Sequence, residues 1–272
     1  LNTGNPASFG LGMPPSVRDA LLKNPDSAVA YCDLRGMPEA REAIVAYHTA
    51  NGAQDVAMED VFVGNGVSEL AYMLLTALLN PGDEVLMPSP CYTLWTNNAR
   101  MLDARPVLYR CDEQAGWYPD TADIRAKITP RTRALLIINP NNPTGANYSR
   151  QAVLDLLQIA REHDLLVIAD EIYDRLLLDD AVHSPAAALA PDLPMVTLNG
   201  LSKSHMVCGF RCGWMVLTGP KKRMASLNAS LVKLAAMRLC GNALAQTVIA
   251  AALNDPDSTR ALLQPGGRLY EQ

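Results

Sequence analysis

Short apolar runs alternate with amphipathic segments along most of the chain, and this alternation limits the folds it can adopt. The runs Arg133–Asn139 and Leu165–Ala169 have the length and the continuous apolar character of strands buried on both faces. Between them, Gln151–His163 has the spacing of an amphipathic helix, and Ser149 precedes it as a cap. Strands that alternate with helices predict an α/β domain with a mostly parallel central sheet.

The remaining elements follow from the same rules. We expect further strands at Val61–Val63, Glu84–Met87, Ala104–Tyr109, Met195–Leu198 and Trp214–Leu217. We expect further helices at Pro15–Leu22, Pro38–Asn51, Ser68–Leu79, Tyr92–Arg100, Lys221–Arg238 and Ala243–Leu253.

The overall composition excludes several classes of function. The net charge is −5 without a basic stripe, and no apolar run reaches the length of a membrane span, so we expect neither a nucleic-acid nor a membrane partner. The six cysteines form no Cys-x-x-Cys pair, and the four histidines are scattered. This pattern predicts no metal site, and it is typical of reduced thiols in a cytoplasmic protein.

Lys203 is the residue with the strongest indication of chemistry. It lies in a turn of small residues directly after the predicted strand Met195–Leu198. A lysine is usually a solvated charge, but an amine that is desolvated at a strand end has a lowered pKa and is a nucleophile toward an aldehyde. We therefore treat Lys203 as the candidate catalytic residue.

Other polar residues follow predicted strands and are expected at the same edge of the sheet. Asp170 ends a strand, where a carboxylate is either a helix cap, half of a structural ion pair, or a partner for a protonated ring nitrogen. Tyr173 is either a core residue or a hydroxyl donor to a ring oxygen. Asn142 either belongs only to a turn or donates its amide to a ligand.

A glycine-containing turn supplies a candidate phosphate site. Gly64-Asn65-Gly66-Val67-Ser68 lacks the third glycine of a dinucleotide fingerprint, but it leads into a predicted helix whose first amides can bind a phosphate. Arg211 is either a surface ion pair or the guanidinium that completes this site.

The joint pattern resembles the class I/II aminotransferases, the aspartate-aminotransferase-like group of pyridoxal-phosphate enzymes of fold type I. Three segments stand in the order and spacing of that family: Asn142-Pro143-Thr144-Gly145, Asp170-Glu171-Ile172-Tyr173, and Ser202-Lys203 with Arg211. The resemblance covers the whole chain and is closest to the bacterial alanine aminotransferase branch. It implies a three-layer α/β/α large domain.

The resemblance also implies roles for individual residues. Lys203 is implied to be catalytic, and Gly4 and Asn142 to contact the substrate. The implied ligands of pyridoxal 5'-phosphate are Gly66, Val67, Ser68, Tyr92, Asn142, Asp170, Tyr173, Ser202, Lys203 and Arg211. Tyr31 resembles the tyrosine that reaches the phosphate in the neighbouring subunit, which implies a homodimer with shared active sites.

Two departures from the family pattern concern ligand contacts. Gly200 stands where many relatives have a phosphate-binding serine, three positions before the lysine. The arginine that binds the substrate carboxylate belongs to a C-terminal small domain, and neither Arg260 nor Arg268 is assigned that role. We expect residues 1–272 to form the cofactor-binding large domain, with residues 1–30 bordering the substrate site, and without that small domain.

The function implied is transfer of an amino group between an amino acid and a 2-oxo acid, by ping-pong Schiff-base chemistry. Alanine and 2-oxoglutarate are the favoured pair. A pyridoxal-phosphate-dependent β-lyase (a C–S lyase) on the same fold shares every cofactor residue and is the alternative enzyme. A sensor domain that binds the cofactor without turnover is the alternative from another class.

Overall fold

A central β-sheet organises the molecule. The computed structural model describes residues 5–255 and 257–271, and within them the sheet has eight strands. In chain order the strands are β1 (Val61–Gly64), β2 (Glu84–Ser89), β3 (Arg105–Asp112), β4 (Tyr118–Pro119), β5 (Thr132–Ile138), β6 (Leu166–Asp170), β7 (Met195–Gly200) and β8 (Gly213–Thr218).

The sheet is mostly parallel, as predicted. Its strand order is β1-β8-β7-β6-β5-β2-β3-β4, and the five strands from β7 to β3 run parallel to one another. The short strand β4 pairs antiparallel with β3, and β8 runs antiparallel to both of its neighbours, β7 and β1. The carboxyl end of β1 therefore lies at the same edge of the sheet as the carboxyl ends of the parallel strands.

Helices connect the strands and cover both faces of the sheet. They are α1 (Pro15–Lys23), α2 (Pro38–Ala50), α3 (Val67–Leu78), α4 (Thr93–Met101), α5 (Thr121–Lys127), α6 (Arg150–Glu162), α7 (Ala186–Leu189), α8 (Leu201–Ser204), α9 (Lys221–Arg238), α10 (Ala243–Gln246) and α11 (Ile249–Leu253). Within the described part of the chain, none of these helices is long and apolar enough to span a membrane.

Most of the predicted helices are confirmed. Helix α9 has the predicted bounds, and α6 begins after Ser149, whose Oγ accepts a hydrogen bond from the backbone N–H of Ala152 at 3.2 Å. One prediction is wrong: Ala243–Leu253 is interrupted between α10 and α11. There the hydroxyl of Thr247 donates to the carbonyl of Leu244 at 2.7 Å, and such a bond competes with the backbone bonds of a continuous helix.

The alternation of side chains along the strands builds two apolar layers. In β5, Leu136 and Ile138 pack into a cluster with α3, α4 and α9, whereas Leu135 and Ile137 pack on the opposite face with α6 and α7. A third cluster joins α1, α2 and α11 to β1 and β8. Two helical layers therefore enclose the sheet, and the predicted three-layer α/β/α architecture is confirmed.

Three glycines meet where β1, β8 and β7 come together. In the sheet register Gly213 lies between Gly64 and Gly200. A Cβ atom on Gly213 would lie 2.7 Å from the backbone nitrogen of Val67, and one on Gly200 would lie 2.7 Å from the carbonyl oxygen of Cys212. A Cβ atom on Gly64 would instead lie 2.7 Å from a side-chain carbon of Leu70. We call Gly64, Gly200 and Gly213 the glycine junction, because none of the three positions has room for a side chain.

Candidate active site

Lys203 lies on the short helix α8, directly after β7. The sequence suggested a turn at this point, and a helix of four residues is too short for its periodicity to be recognised. The side chain is half-buried. Burial lowers the pKa of the Lys203 amine. The positive charge of nearby Arg211 lowers it further, whereas Cys208 raises it. The amine is therefore more readily deprotonated, and more nucleophilic, than a surface lysine.

Asp170 ends β6, the strand next to the one that precedes Lys203. It pairs in register with Leu198 of β7, and its side chain is 4% exposed. Burial raises the pKa of Asp170 to about 6; hydrogen bonds lower it and the charge of Glu171 raises it further. Its carboxylate accepts hydrogen bonds from the indole N–H of Trp95 and the backbone N–H of Ile172. The carboxylate is thus suited to a cationic group brought by a ligand.

Tyr173 and Tyr92 lie near this carboxylate. Burial raises the pKa of Tyr173, and the charges of Asp170 and Tyr92 raise it further, so these three side chains are within electrostatic reach of one another. Tyr92 is 42% exposed and precedes the first residue of α4. Part of its surface is therefore accessible to a ligand.

The segment after β5 carries the asparagines of the site. The backbone N–H of Asn139 donates to the carbonyl of Asp170 at 3.1 Å, so this segment begins beside the end of β6. Asn141 Oδ1 accepts a hydrogen bond from the hydroxyl of Thr144 at 2.9 Å, which closes a tight turn around Asn142. Asn142 is half-buried in this turn. Asn142 does lie in a turn, and its contact with a ligand stays a prediction.

Gly66, Val67 and Ser68 form the transition from β1 into α3. Gly66 precedes the first helical residue, with φ at 85°, a conformation that favours glycine. A Cβ atom there would collide with Nη2 of Arg211. The guanidinium and the start of α3 therefore lie next to each other although they are far apart in sequence. A guanidinium beside the first N–H groups of a helix is a combination suited to a phosphate.

Arg211 is held in place by backbone contacts. It has φ of 52° and ψ of 50°, which is unusual for a residue with a side chain. Its Nη1 donates to the carbonyl of Cys208 at 2.8 Å, and its Nη2 lies 3.5 Å from the carbonyl of Asn65. The guanidinium remains exposed without a carboxylate partner within the described residues, which argues against the surface ion pair that the sequence left open.

Ser202 and Gly200 flank the lysine segment. Ser202 is half-buried beside Lys203 on α8. Gly200 belongs to the glycine junction, where a side chain would collide with backbone. A serine at this position therefore has no room in this backbone, and Ser202 is the hydroxyl that remains available in this segment.

Tyr31 and Gly4 are the remaining predicted ligand residues, and Arg260 and Arg268 are the two arginines that were left unassigned. Tyr31 is 82% exposed, as expected for a side chain that reaches another subunit. Gly4 lies outside the described residues. Arg260 forms an exposed ion pair with Asp257, and Arg268 donates to the carbonyl of Gly10 at 3.3 Å.

Sequence reasoning missed the contacts that surround Asp170 and its neighbours. The indole N–H of Trp95 donates to Oδ2 of Asp170 at 3.0 Å. A buried tryptophan usually needs a partner for its N–H, but nothing in the sequence around Trp95 indicates which residue that partner is. A second contact lies next to Asp170, where Nε2 of His183 is 3.3 Å from Glu171. Burial lowers the pKa of this imidazole, but the carboxylates of Glu171 and Asp174 outweigh burial, so that its pKa is raised.

A second set of buried contacts fixes the segment after β6. Asp174 accepts hydrogen bonds from the hydroxyl of Tyr47 and from the amide of Asn199, the latter at 2.7 Å. Asn199 is the penultimate residue of β7. The segment that carries Tyr173 is therefore tied both to α2 and to the strand that leads to Lys203.

Comparison with known proteins identifies the family. The family model for aminotransferase class I and II matches residues 1–264. The chain belongs to the class I and II aminotransferases. It is 52% identical over 272 residues to the glutamate-pyruvate aminotransferase AlaA of Escherichia coli, and it covers 67% of that protein. It is 48% identical over 273 residues to the alanine aminotransferase of Mycobacterium tuberculosis, of which it covers 64%.

Structural comparison agrees with this membership. The fold matches the crystal structure of an aminotransferase from Escherichia coli with a TM-score of 0.98 and 51% identity, over all of this chain and 67% of the other. This aminotransferase thus has the large-domain fold of type I and spans about two thirds of the length of its relatives. It transfers an amino group between an amino acid and a 2-oxo acid, and the β-lyase and sensor alternatives are not favoured.

Proposed function

We propose that this aminotransferase uses pyridoxal 5'-phosphate to exchange an amino group between alanine and 2-oxoglutarate. The observation that carries the proposal is the placement of Lys203 and Asp170 after adjacent strands, β7 and β6. The curated relatives named above as alanine and glutamate-pyruvate aminotransferases support the choice of substrates.

The residues present fit this cofactor. A buried carboxylate with a raised pKa, Asp170, matches a pyridine nitrogen that carries a proton. A Cβ atom on Gly66 would collide with Nη2 of Arg211, so this guanidinium donor lies directly against the start of α3. When bound, the cofactor supplies an aldehyde that condenses with amines and a ring that accepts electrons from the substrate carbon.

The side chains divide the work of binding and proton transfer. Asp170 would hold the proton on the ring nitrogen, and Tyr173 and Asn142 would donate hydrogen bonds to the ring oxygen. Gly66, Val67, Ser68, Ser202 and Arg211 would bind the phosphate, and Tyr92 would stack on the ring. Asn142 would also contact the substrate, as would Gly4 through its backbone. Lys203, with its lowered pKa, would accept and return the proton at the substrate α-carbon.

We also propose a homodimer with shared active sites, located in the cytoplasm, with residues 1–272 as the cofactor-binding domain and residues 1–30 bordering the substrate. The exposed ring of Tyr31 supports the shared site, because so large an aromatic surface favours contact with another subunit. All six cysteines are free thiols, as expected in a reducing compartment.

The test combines cofactor attachment with product analysis. Borohydride reduction of the reconstituted protein should fix the cofactor covalently to Lys203, located by peptide mass spectrometry. Lys203→Ala should abolish turnover and remove the visible absorbance of the bound cofactor, whereas the exposed Lys233→Ala should change neither. Pyruvate should form from alanine beyond one equivalent per active site only when 2-oxoglutarate is present; pyruvate from cystathionine at a faster rate would instead indicate the lyase.

A further inference from the structure

We propose that Trp95 is a positioning residue for Asp170, whose indole N–H holds the carboxylate in its charged form and in one orientation. The inference rests on the proposed function of Asp170 as the partner of the cofactor ring. The two oxygens of the carboxylate are held unequally. Oδ2 accepts the indole N–H at 3.0 Å, whereas Oδ1 has a longer contact of 3.4 Å with the backbone N–H of Ile172.

The geometry of this contact is rigid. The Trp95 side chain is 0% exposed and packs into the apolar cluster between the sheet and helices α3, α4 and α9. It lies in the first turn of α4, three residues after Tyr92. Helix α4 therefore follows the proposed stacking residue directly and also carries the N–H donor to Asp170. A single helix thus fixes the positions of both Tyr92 and Trp95.

The electrostatic surroundings make this donor important. Glu171, Cys91 and Tyr173, all of them acids, interact electrostatically with Asp170. Among the described residues, Trp95 is the side chain that donates a hydrogen bond to this carboxylate. An indole donates but cannot accept a proton, so it stabilises the carboxylate without competing for the proton that the ring nitrogen needs.

A second tryptophan provides a matched control. Trp214 is 1% exposed, and its Nε1 also donates a hydrogen bond, but to Nε2 of His48 at 3.1 Å. Its ring packs in the cluster on the opposite face of the sheet, with α1, α2 and α11. Trp95→Phe and Trp214→Phe each remove one indole N–H and a similar volume of buried ring, and only the first removes a donor from Asp170.

The first measurement uses the protein without cofactor. The chain has three tryptophans, so a ¹⁵N-labelled sample gives three indole signals, and the signal missing in Trp95→Phe identifies Trp95. That signal should shift with pH around the pKa of Asp170, about 6, and the shift should vanish in Asp170→Asn. A pH-independent signal would overturn the proposal, and Asp170→Asn allows this test even if Trp95→Phe folds poorly.

The second measurement is equilibrium binding of pyridoxal phosphate. A lost hydrogen bond to a charged group should weaken binding by about 10- to 100-fold in Trp95→Phe, and Trp214→Phe should stay within about threefold of the original protein. Equal affinities in the two variants would overturn the proposal. Failure of the unsubstituted protein to bind the cofactor would overturn the proposed function instead, and the indole titration would still decide whether Trp95 governs Asp170.

Discussion

The buried carboxylate of Asp170 should destabilise the protein that lacks its cofactor. Its pKa is about 6 in the folded protein against a usual value of 3.8, because burial disfavours the charged form. Between these two values the folded protein binds a proton that the unfolded protein has released. The contribution of Asp170 to stability should therefore fall as pH rises from about 4 to about 6, and it should remain low above that range.

The magnitude follows from the same two values. The difference between 3.8 and about 6 corresponds to about 3 kcal/mol in the free energy of unfolding. Asp170→Asn keeps the shape of the side chain, and its amide oxygen can still accept the indole N–H of Trp95. Without cofactor, the variant should therefore gain about 3 kcal/mol relative to the original protein when the pH is raised from about 4 to about 8.

Urea unfolding of cofactor-free protein at several pH values measures this effect. The exposed Asp180→Asn is the control, and it should change stability by less than about 0.5 kcal/mol at every pH. With saturating pyridoxal phosphate the original protein should become more stable than Asp170→Asn. A ligand stabilises the protein more when it binds more tightly, and Asp170→Asn would bind this one weakly. Parallel stability profiles for the original protein and Asp170→Asn would refute the reasoning.

Two further substitutions test the phosphate site and the fold separately. Gly66→Ala should reduce cofactor affinity at least about 10-fold in equilibrium dialysis, because its Cβ would collide with the guanidinium of Arg211. The control is Gly116→Ala, at a φ of 68° with open space around it, which should leave the affinity unchanged. Equal affinities in the two variants would contradict the proposed phosphate site. Ser149→Ala should lower the free energy of unfolding by about 1 kcal/mol through loss of the α6 cap, with no change in cofactor binding; unchanged urea unfolding would count against the cap.

Much of the fold could be predicted because its strands are buried on both faces. Continuous apolar runs such as Arg133–Asn139 are distinctive, and the polar residues that follow them indicate one edge of the sheet. Short elements could not be predicted in this way. Helix α8 has four residues, and the strand β4 has two, so neither shows a periodicity.

Some residues of the candidate site could be predicted from the sequence, and some contacts could not. Lys203, Asp170 and Arg211 stand next to strand ends, so their positions in the sequence already indicate a shared edge. The contact of Trp95 with Asp170 joins residues 75 apart in sequence. Such a contact depends on how α4 lies against the sheet, which hydrophobic patterning does not determine.

The glycine junction has a consequence for how this enzyme can diversify. Because β8 runs against its neighbours, three distant stretches of chain touch through bare backbone beside the start of α3. A side chain at Gly213 would displace the peptide between Gly66 and Val67, which faces the proposed phosphate, and a side chain at Gly200 would displace the backbone of Cys212 and Gly213. Changes in substrate preference should therefore accumulate in the loops around Tyr92 and Asn142, while the anchoring end of the pocket stays invariant.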